Sequence, residues 1–217
     1  MDTIQLIESN GFVDLGELHP EMTAAEAAQS IAAELGCKIW RSSESLTVND
    51  TTAKPLNTYA GNYGLGQLPL HTDLAHWYVP PRYLMLRCSV GDPSVSTLVV
   101  HHREALKGLP SAVVDRALFR PRRRLDGQMF LVRLRHQGIF RWDQLFLTPD
   151  NCEAHQVREA LVDRPITCCI EEINLDRPGR TILIDNWTSL HGRSAVGRST
   201  SLRRIERVYF SGGDHDE

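Results

Sequence analysis

Two histidines and an aspartate carry the first chemical signal in this chain. They are the pair in His71-Thr72-Asp73 and, about half a chain later, His191 within Asn186-Trp187-Thr188-Ser189-Leu190-His191-Gly192-Arg193. Two imidazoles and one carboxylate can hold one face of an Fe(II) ion and leave the opposite face open for a co-substrate and O2, which is the arrangement of oxygenase chemistry. The first pair alone is weak, because a chain with nine histidines contains about one His-x-Asp by chance. Its weight depends on the elements that surround it.

A strand places residues i and i+2 on one face, so an extended Leu70–Leu74 projects His71 and Asp73 to the same side and Thr72 away. The run Thr181-Ile182-Leu183-Ile184-Asp185-Asn186 reads as a buried strand, and a turn at Asn186-Trp187 then delivers His191. Other short β-prone runs, separated by Gly, Pro, Asn and Asp, are 38–41, 45–49, 83–89, 97–101, 128–135, 166–173 and 204–210. Residues 22–35 read as a helix, with Thr23 and Glu26 at capping-box spacing and Gly36 as its stop. Two more helices are expected over 103–118 and, after Pro149-Asp150, over 151–161. Many short strands with a few helices point to a mainly β sandwich or distorted barrel.

With 217 residues, 41% of them hydrophobic, the chain can bury a substantial core as one domain. A formal net charge of −3 gives no electrostatic case for nucleic acid or an anionic membrane, and points instead to a small-molecule partner. Met1-Asp2-Thr3-Ile4-Gln5 lacks a basic segment followed by an apolar run, so a cytoplasmic protein is expected. The five cysteines include no Cys-x-x-Cys, which argues for reduced, mostly buried thiols rather than disulfides or structural zinc.

Taken in order, several stretches resemble the Fe(II)- and 2-oxoglutarate-dependent dioxygenases of the taurine dioxygenase group, including its clavaminate-synthase-like members. They are Leu70-His71-Thr72-Asp73, Pro80-Pro81-Arg82-Tyr83-Leu84-Met85-Leu86-Arg87-Cys88, Thr97, Asp185 through Arg193, and Arg203-Arg204-Ile205-Glu206-Arg207-Val208-Tyr209. The resemblance implies a double-stranded β-helix, a cupin-like jelly roll over about 38–210, behind an N-terminal helical part over about 1–36, all in one domain 1–217. It implies that His71, Asp73 and His191 are iron ligands. It also implies that Arg203 binds the far carboxylate of 2-oxoglutarate, with Thr97 adding a hydroxyl donor and Arg207 one repeat along the same strand face. The implied reaction uses O2 to hydroxylate an unactivated C–H of a small polar or anionic metabolite, releasing succinate and CO2. Related halogenases lack a carboxylate at the position of Asp73, so its presence favours hydroxylation, with desaturation or cyclisation open. A catalytically silent jelly roll that binds a ligand, and an oxygenase acting on a macromolecule, are the rival readings.

The guanidinium fork meets a carboxylate with two parallel charge-assisted hydrogen bonds, which a lysine cannot reproduce. Whether Arg203 or its neighbour Arg204 faces inward depends on strand register, and the pattern favours Arg203. The arginines of 116–141 have two readings: a solvated face, or a source of one or two clamps for an anionic substrate. His76 and Trp77 either line the substrate mouth or sit as a surface and a packing residue. His101 and His102, adjacent on a strand, are expected to face opposite ways. Tyr59–Gln67 reads as a flexible loop, and His215-Asp216-Glu217 as a disordered end. Oligomeric state is left open.

Overall fold

The computed structural model describes residues 3–47, 58–122, 127–163, 169–197 and 203–212. From the N-terminus run α1 (Thr3–Asn10), β1 (Phe12–Glu17), α2 (Ala24–Leu35) and β2 (Ile39–Thr47), then α3 (Tyr59–Tyr63), β3 (Leu68–His71), β4 (Tyr83–Val90) and β5 (Ser96–His101). Next come α4 (His102–Ala105), α5 (Ser111–Arg116), β6 (Leu118–Pro121), β7 (Val132–Arg133), β8 (Arg135–His136), β9 (Ile139–Phe140) and β10 (Leu147–Pro149). Helix α6 (Cys152–Arg158) continues as a π-helical turn over Glu159–Asp163, and β11 (Glu171–Asn174), β12 (Arg180–Asp185), β13 (Ser189–Arg193) and β14 (Arg204–Phe210) follow.

Two antiparallel sheets make a sandwich. One runs β1-β12-β4-β14-β2, the other β11-β5-β13-β3. The period of two along each strand builds its layers. Leu84, Leu86 and Cys88 of β4, with Ile182 and Ile184 of β12, point between the sheets and meet Val99 of β5 and Ile173 of β11. The alternate residues Tyr83, Met85, Leu183, Val208 and Phe210 point out, where Ile7 of α1 and Ala27, Ala28 and Ile31 of α2 cover them. Both faces of the central strands β4 and β12 are therefore buried, and these two read as near-continuous apolar runs, while the edge strand β2 stays mostly exposed. On the far side of the smaller sheet, Val100 and Leu190 pack with Val114 of α5, Phe119 of β6, Trp142 and Val157 of α6.

Helix α2 forms where its local signals place it. The Thr23 side chain accepts from the Glu26 N–H, Glu26 reaches back to the Thr23 N–H, and Gly36 ends the helix at φ 63°. The turn leading into it is anchored by Arg87, whose buried guanidinium donates to the carbonyls of Leu18, His19, Met22 and Gly179 and to the Thr181 hydroxyl.

Several expectations change in three dimensions. The helix expected over 103–118 is broken into α4 and α5, because Gly108 takes φ 90° and Pro110 restrains the residue before it, and Leu118 already belongs to β6. The strand expected over 128–135 is reduced to the short β7 and β8, and the runs at 38–41 and 45–49 merge into β2 as far as Thr47. Tyr59–Gln67 is not a bare loop: α3 fills its first half, with Thr58 capping the Gly61 N–H. The N-terminal part is not purely helical, since β1 pairs with β12 at the edge of the larger sheet. Of the four cysteines described only Cys88 is buried, against the expectation of mostly buried thiols; Cys152 and Cys169 are exposed and none is in a disulfide. Cys168, Arg123, Arg124, His215–Glu217, Met1, Asp2 and residues 48, 49 and 166–168 of the expected strands lie outside the described residues. Among the described residues no helix is long and apolar enough to cross a membrane.

Removing the Thr23 hydroxyl deletes one side of the capping box, and Thr23→Ala is expected to lower stability by about 1 kcal/mol. Urea denaturation followed by circular dichroism measures it, as a lower midpoint at unchanged slope.

Candidate metal centre and the cavity beside it

His71 ends β3 and stands directly across from His191 in β13. The smaller sheet's inner face thus presents both imidazoles, with ring centroids 4.5 Å apart. Asp73 does not lie on the strand, as the alternation argument required. The chain leaves β3 at Thr72, whose N–H donates to the Trp142 carbonyl, and turns through Leu74 at φ 54°. The carboxylate converges on the histidines because Asn186 holds the turn: the Asp73 N–H donates to Asn186 Oδ1 at 2.7 Å, and Asn186 Nδ2 donates to the carbonyls of Asp73 and Pro81. Trp187 Nε1 donates to the Pro80 carbonyl beside it.

Asp73 Oδ1 is 3.3 Å from His71 Nε2 and 3.7 Å from His191 Nε2. Ligand atoms about 2.1 Å from one ion stand about 3 Å apart when cis, so these three side chains fit a single cation. Among the described residues they are the one His/Cys/Asp/Glu group with ligand atoms all within 4.8 Å of one another, and all three are buried. The other carboxylate oxygen is already occupied, since Arg207 Nη1 at 3.0 Å and the Tyr209 hydroxyl at 2.8 Å both donate to Oδ2. His71 Nδ1 faces the Pro69 carbonyl at 2.9 Å, which fixes the proton there in the neutral ring and turns the Nε2 lone pair to the site.

Charge follows from these contacts. Burial works to raise the Asp73 carboxyl, but Arg207 and then the two imidazoles hold it well below the usual carboxylate range. Burial opposes the charged form of His71, yet the bond and charge of Asp73 raise it, while burial and the neighbouring His71 lower His191. The site thus concentrates negative charge on a carboxylate oxygen flanked by two nitrogens, as a divalent cation requires.

A cavity of about 240 Å³ opens beside the triad. Leu46, Leu68, Leu86 and Ile205 give it apolar walls, and Thr97, Arg193, Arg203 and Arg207 also line it. Strand alternation places Arg203, Ile205, Arg207 and Tyr209 on the inner face, so of the two neighbouring arginines Arg203 is the buried one, 6% exposed, and Arg204 is exposed. Burial lowers the pKa of Arg203, and its Nε is buried without a hydrogen-bond partner. Arg207 is already engaged by Asp73 and Glu44.

Five residues around the site drew no role from sequence. Tyr209 and Asn186 hold Asp73, and Arg193 bonds the Gly64 and Gly66 carbonyls. Tyr59 packs its ring 4.7 Å from His71 and donates to Asp143, a buried carboxylate that also accepts the Leu145 and Phe146 N–H groups. Asn186, Arg193 and Tyr209 lie within the motif stretches, whereas nothing in the sequence pointed to Tyr59 or Asp143.

None of the described arginines of 116–141 lines the cavity. Arg120 pairs with Asp150 and Arg135 with Asp115, while Arg141 is buried and donates to the carbonyls of Ala75, Trp77 and Tyr78. His76 is buried 5.2 Å from the Phe146 ring rather than on the surface, and Trp77 meets Trp40 edge-on at 5.3 Å. His101 and His102 do not face opposite ways: the chain turns into α4 between them, and their rings stack at 4.6 Å.

No family model and no curated protein sequence matches the chain significantly. Solved structures do. An asparagine oxygenase in complex with Fe(II), 2S,3S-3-hydroxyasparagine and succinate is 20% identical, with a TM-score of 0.58 over 76% of this chain and 56% of that one. The non-haem iron oxygenase OrfP, with Fe, succinate and (3S)-hydroxy-L-Arg, is 17% identical, with a TM-score of 0.66 over 97% of this chain and 77% of that one. The PvcB protein from Pseudomonas aeruginosa is 18% identical, with a TM-score of 0.60 over 96% and 78%. This chain shares their fold. It spans little more than half the length of the asparagine oxygenase.

His71→Ala, Asp73→Ala and His191→Ala are each expected to abolish tight binding of Mn(II), used as an oxygen-stable probe, in equilibrium dialysis. Tyr209→Phe, which leaves all three ligands but frees one side of Oδ2, is expected to weaken Mn(II) binding about tenfold.

Proposed function

We propose that this chain is a cytoplasmic Fe(II)- and 2-oxoglutarate-dependent oxygenase, built on a double-stranded β-helix, that hydroxylates a small polar metabolite, with an amino acid as the first candidate class. The observation that carries the reading is Arg203, a buried guanidinium with no hydrogen bond or ion pair among the described residues, in the wall of the same cavity that the His71–Asp73–His191 triad faces. Burial disfavours the charge of Arg203 more than the attraction of Cys88 and Asp92 restores, and an anionic ligand bound to it offsets that cost. The products held by the asparagine oxygenase and by OrfP are hydroxylated amino acids, which supports the substrate class.

When bound, iron and the 2-oxo acid would couple decarboxylation of 2-oxoglutarate with O2 to hydroxylation, one oxygen atom entering succinate and the other the substrate C–H bond, with release of CO2. The chain's own residues set the stage for it. His71 and His191 through Nε2 and Asp73 through Oδ1 would hold one face of the ion. Arg207 and Tyr209 keep Oδ2 occupied, so Asp73 gives a single oxygen and leaves the remaining positions open. Arg203, with the Thr97 hydroxyl, would take the far carboxylate, and the leucine and isoleucine walls exclude water around the chain between.

Anaerobic addition of Fe(II) and 2-oxoglutarate is expected to give the weak visible charge-transfer band of a chelated 2-oxo acid, and aerobic addition of the right amino acid to stimulate succinate formation. Arg203→Ala is expected to keep iron and weaken 2-oxoglutarate roughly a hundredfold, as the loss of two charge-assisted hydrogen bonds requires. Absence of the band in the wild-type protein would refute the reading.

A further inference from the structure

A second guanidinium in the cavity is only half used. Arg193 lies on the inner face of β13, two residues beyond His191 and directly across from Thr97 of β5. Its Nη2 donates to the carbonyls of Gly64 and Gly66, at 2.9 and 2.7 Å, and so joins the metal-bearing strand to the segment after α3. Its Nη1 is buried and has no hydrogen-bond partner. The residue just before β14 of the larger sheet contributes the matching feature from the other side, where Arg203 Nε is likewise buried and unpartnered. Both side chains and Thr97 line the one cavity. Two like charges facing a shared, largely apolar space repel: burial and then the charge of Arg203 work against the charged form of Arg193, and at Arg203 the attraction of Cys88 and Asp92 does not outweigh burial. An anion between them removes the repulsion and satisfies both donors at once.

The geometry points to Arg193 as a second cation of this anion site, so that the far carboxylate of the co-substrate is held between Arg193 and Thr97 of one sheet and Arg203 of the other. This deepens the oxygenase reading and rests on it. Arg193 is then a specificity residue, which makes the site choose a 2-oxo acid with a second carboxylate over one without. Because the same guanidinium holds Gly64 and Gly66, a bound carboxylate also fixes the segment that carries Tyr59 and Tyr63 to the cavity wall.

The test compares two ligands that chelate iron identically: 2-oxoglutarate, and 2-oxopentanoate, which has the same five-carbon chain but no second carboxylate. Each is titrated anaerobically into the Fe(II)-loaded protein and followed by its charge-transfer band. The wild-type protein is expected to prefer 2-oxoglutarate strongly. Arg193→Met is expected to narrow that preference about tenfold while still binding Fe(II), as loss of one hydrogen bond to a charged group implies. Arg193→Lys, which keeps the charge but not the fork, should narrow it severalfold, and it decides by the same ratio if Arg193→Met does not fold. A preference unchanged from wild type, or equal weakening of both ligands, would make Arg193 a clamp on the Gly64–Gly66 backbone alone and overturn the inference. A wild-type protein that gives no band with either ligand would overturn the oxygenase reading itself, and this inference with it.

Discussion

The pairing of β3 with β13 places His71 opposite His191, and the site exists only in that register. Side chains alternate along a strand, so a slip of one residue would send one imidazole into the apolar layer around Leu190 and leave the other alone. The register is guarded by a close backbone approach. A Cβ at position 192 would come within 2.6 Å of the Leu68 carbonyl oxygen, so only glycine lets the two strands approach beside the ligands. Asn186 supplies the remaining constraint by binding Asp73 through both its N–H and its carbonyl, fixing the turn from the β12–β13 connection, which is remote in sequence.

The cavity inverts the charge balance of the whole chain. The protein carries a formal net charge of −3, yet the cavity beside the triad is lined by three arginines and one aspartate. Arg207 is compensated by Asp73 and Glu44, at 3.0 and 2.8 Å, and in return keeps Asp73 ionised. Arg203 has no hydrogen bond or ion pair among the described residues, and half of Arg193 has no hydrogen-bond partner. Folding leaves these donors unsatisfied in an apolar enclosure, a destabilising arrangement that makes sense where a ligand completes it. Whole-chain charge therefore says little about which ion a site takes.

What could be read from the sequence was what local physics decides. Helix α2 forms from the Thr23–Glu26 capping box and the Gly36 stop, all within the segment, and β4, β12 and β14 follow from β-prone runs bounded by turn residues. The three candidate ligands were legible because their residue types are restrictive, and Arg203 over Arg204 because alternation along β14 leaves one of them inside. What depended on distant partners was not. Nothing near Asn186 in sequence says that its amide holds Asp73, and nothing near Tyr209 says that its hydroxyl reaches the same carboxylate. The alternation argument for His71 and Asp73 reached the right convergence by the wrong route, because the Trp142 carbonyl draws Thr72 out of the strand and the turn replaces the pleat.

The arginines of 116–141 show why composition left two readings of this stretch open. Arginine clusters look alike in sequence whether their heads meet carboxylates on the surface, as Arg120 and Arg135 do, or carbonyls inside, as Arg141 does. Arg141 holds the backbone of Ala75–Tyr78, the segment that follows His71 and Asp73, and thereby sets where Trp77 stands. Trp77 packs on Trp40, Trp40 lies 6.3 Å from the Tyr209 ring, and the Tyr209 hydroxyl ends on Asp73. A continuous line of aromatic rings thus runs from the half-exposed Trp40 to Asp73. Of the basic stretch Arg141 acts on the site from behind, through backbone carbonyls and this aromatic wall, and the cations that face the cavity come instead from β13, β14 and the residue just before β14.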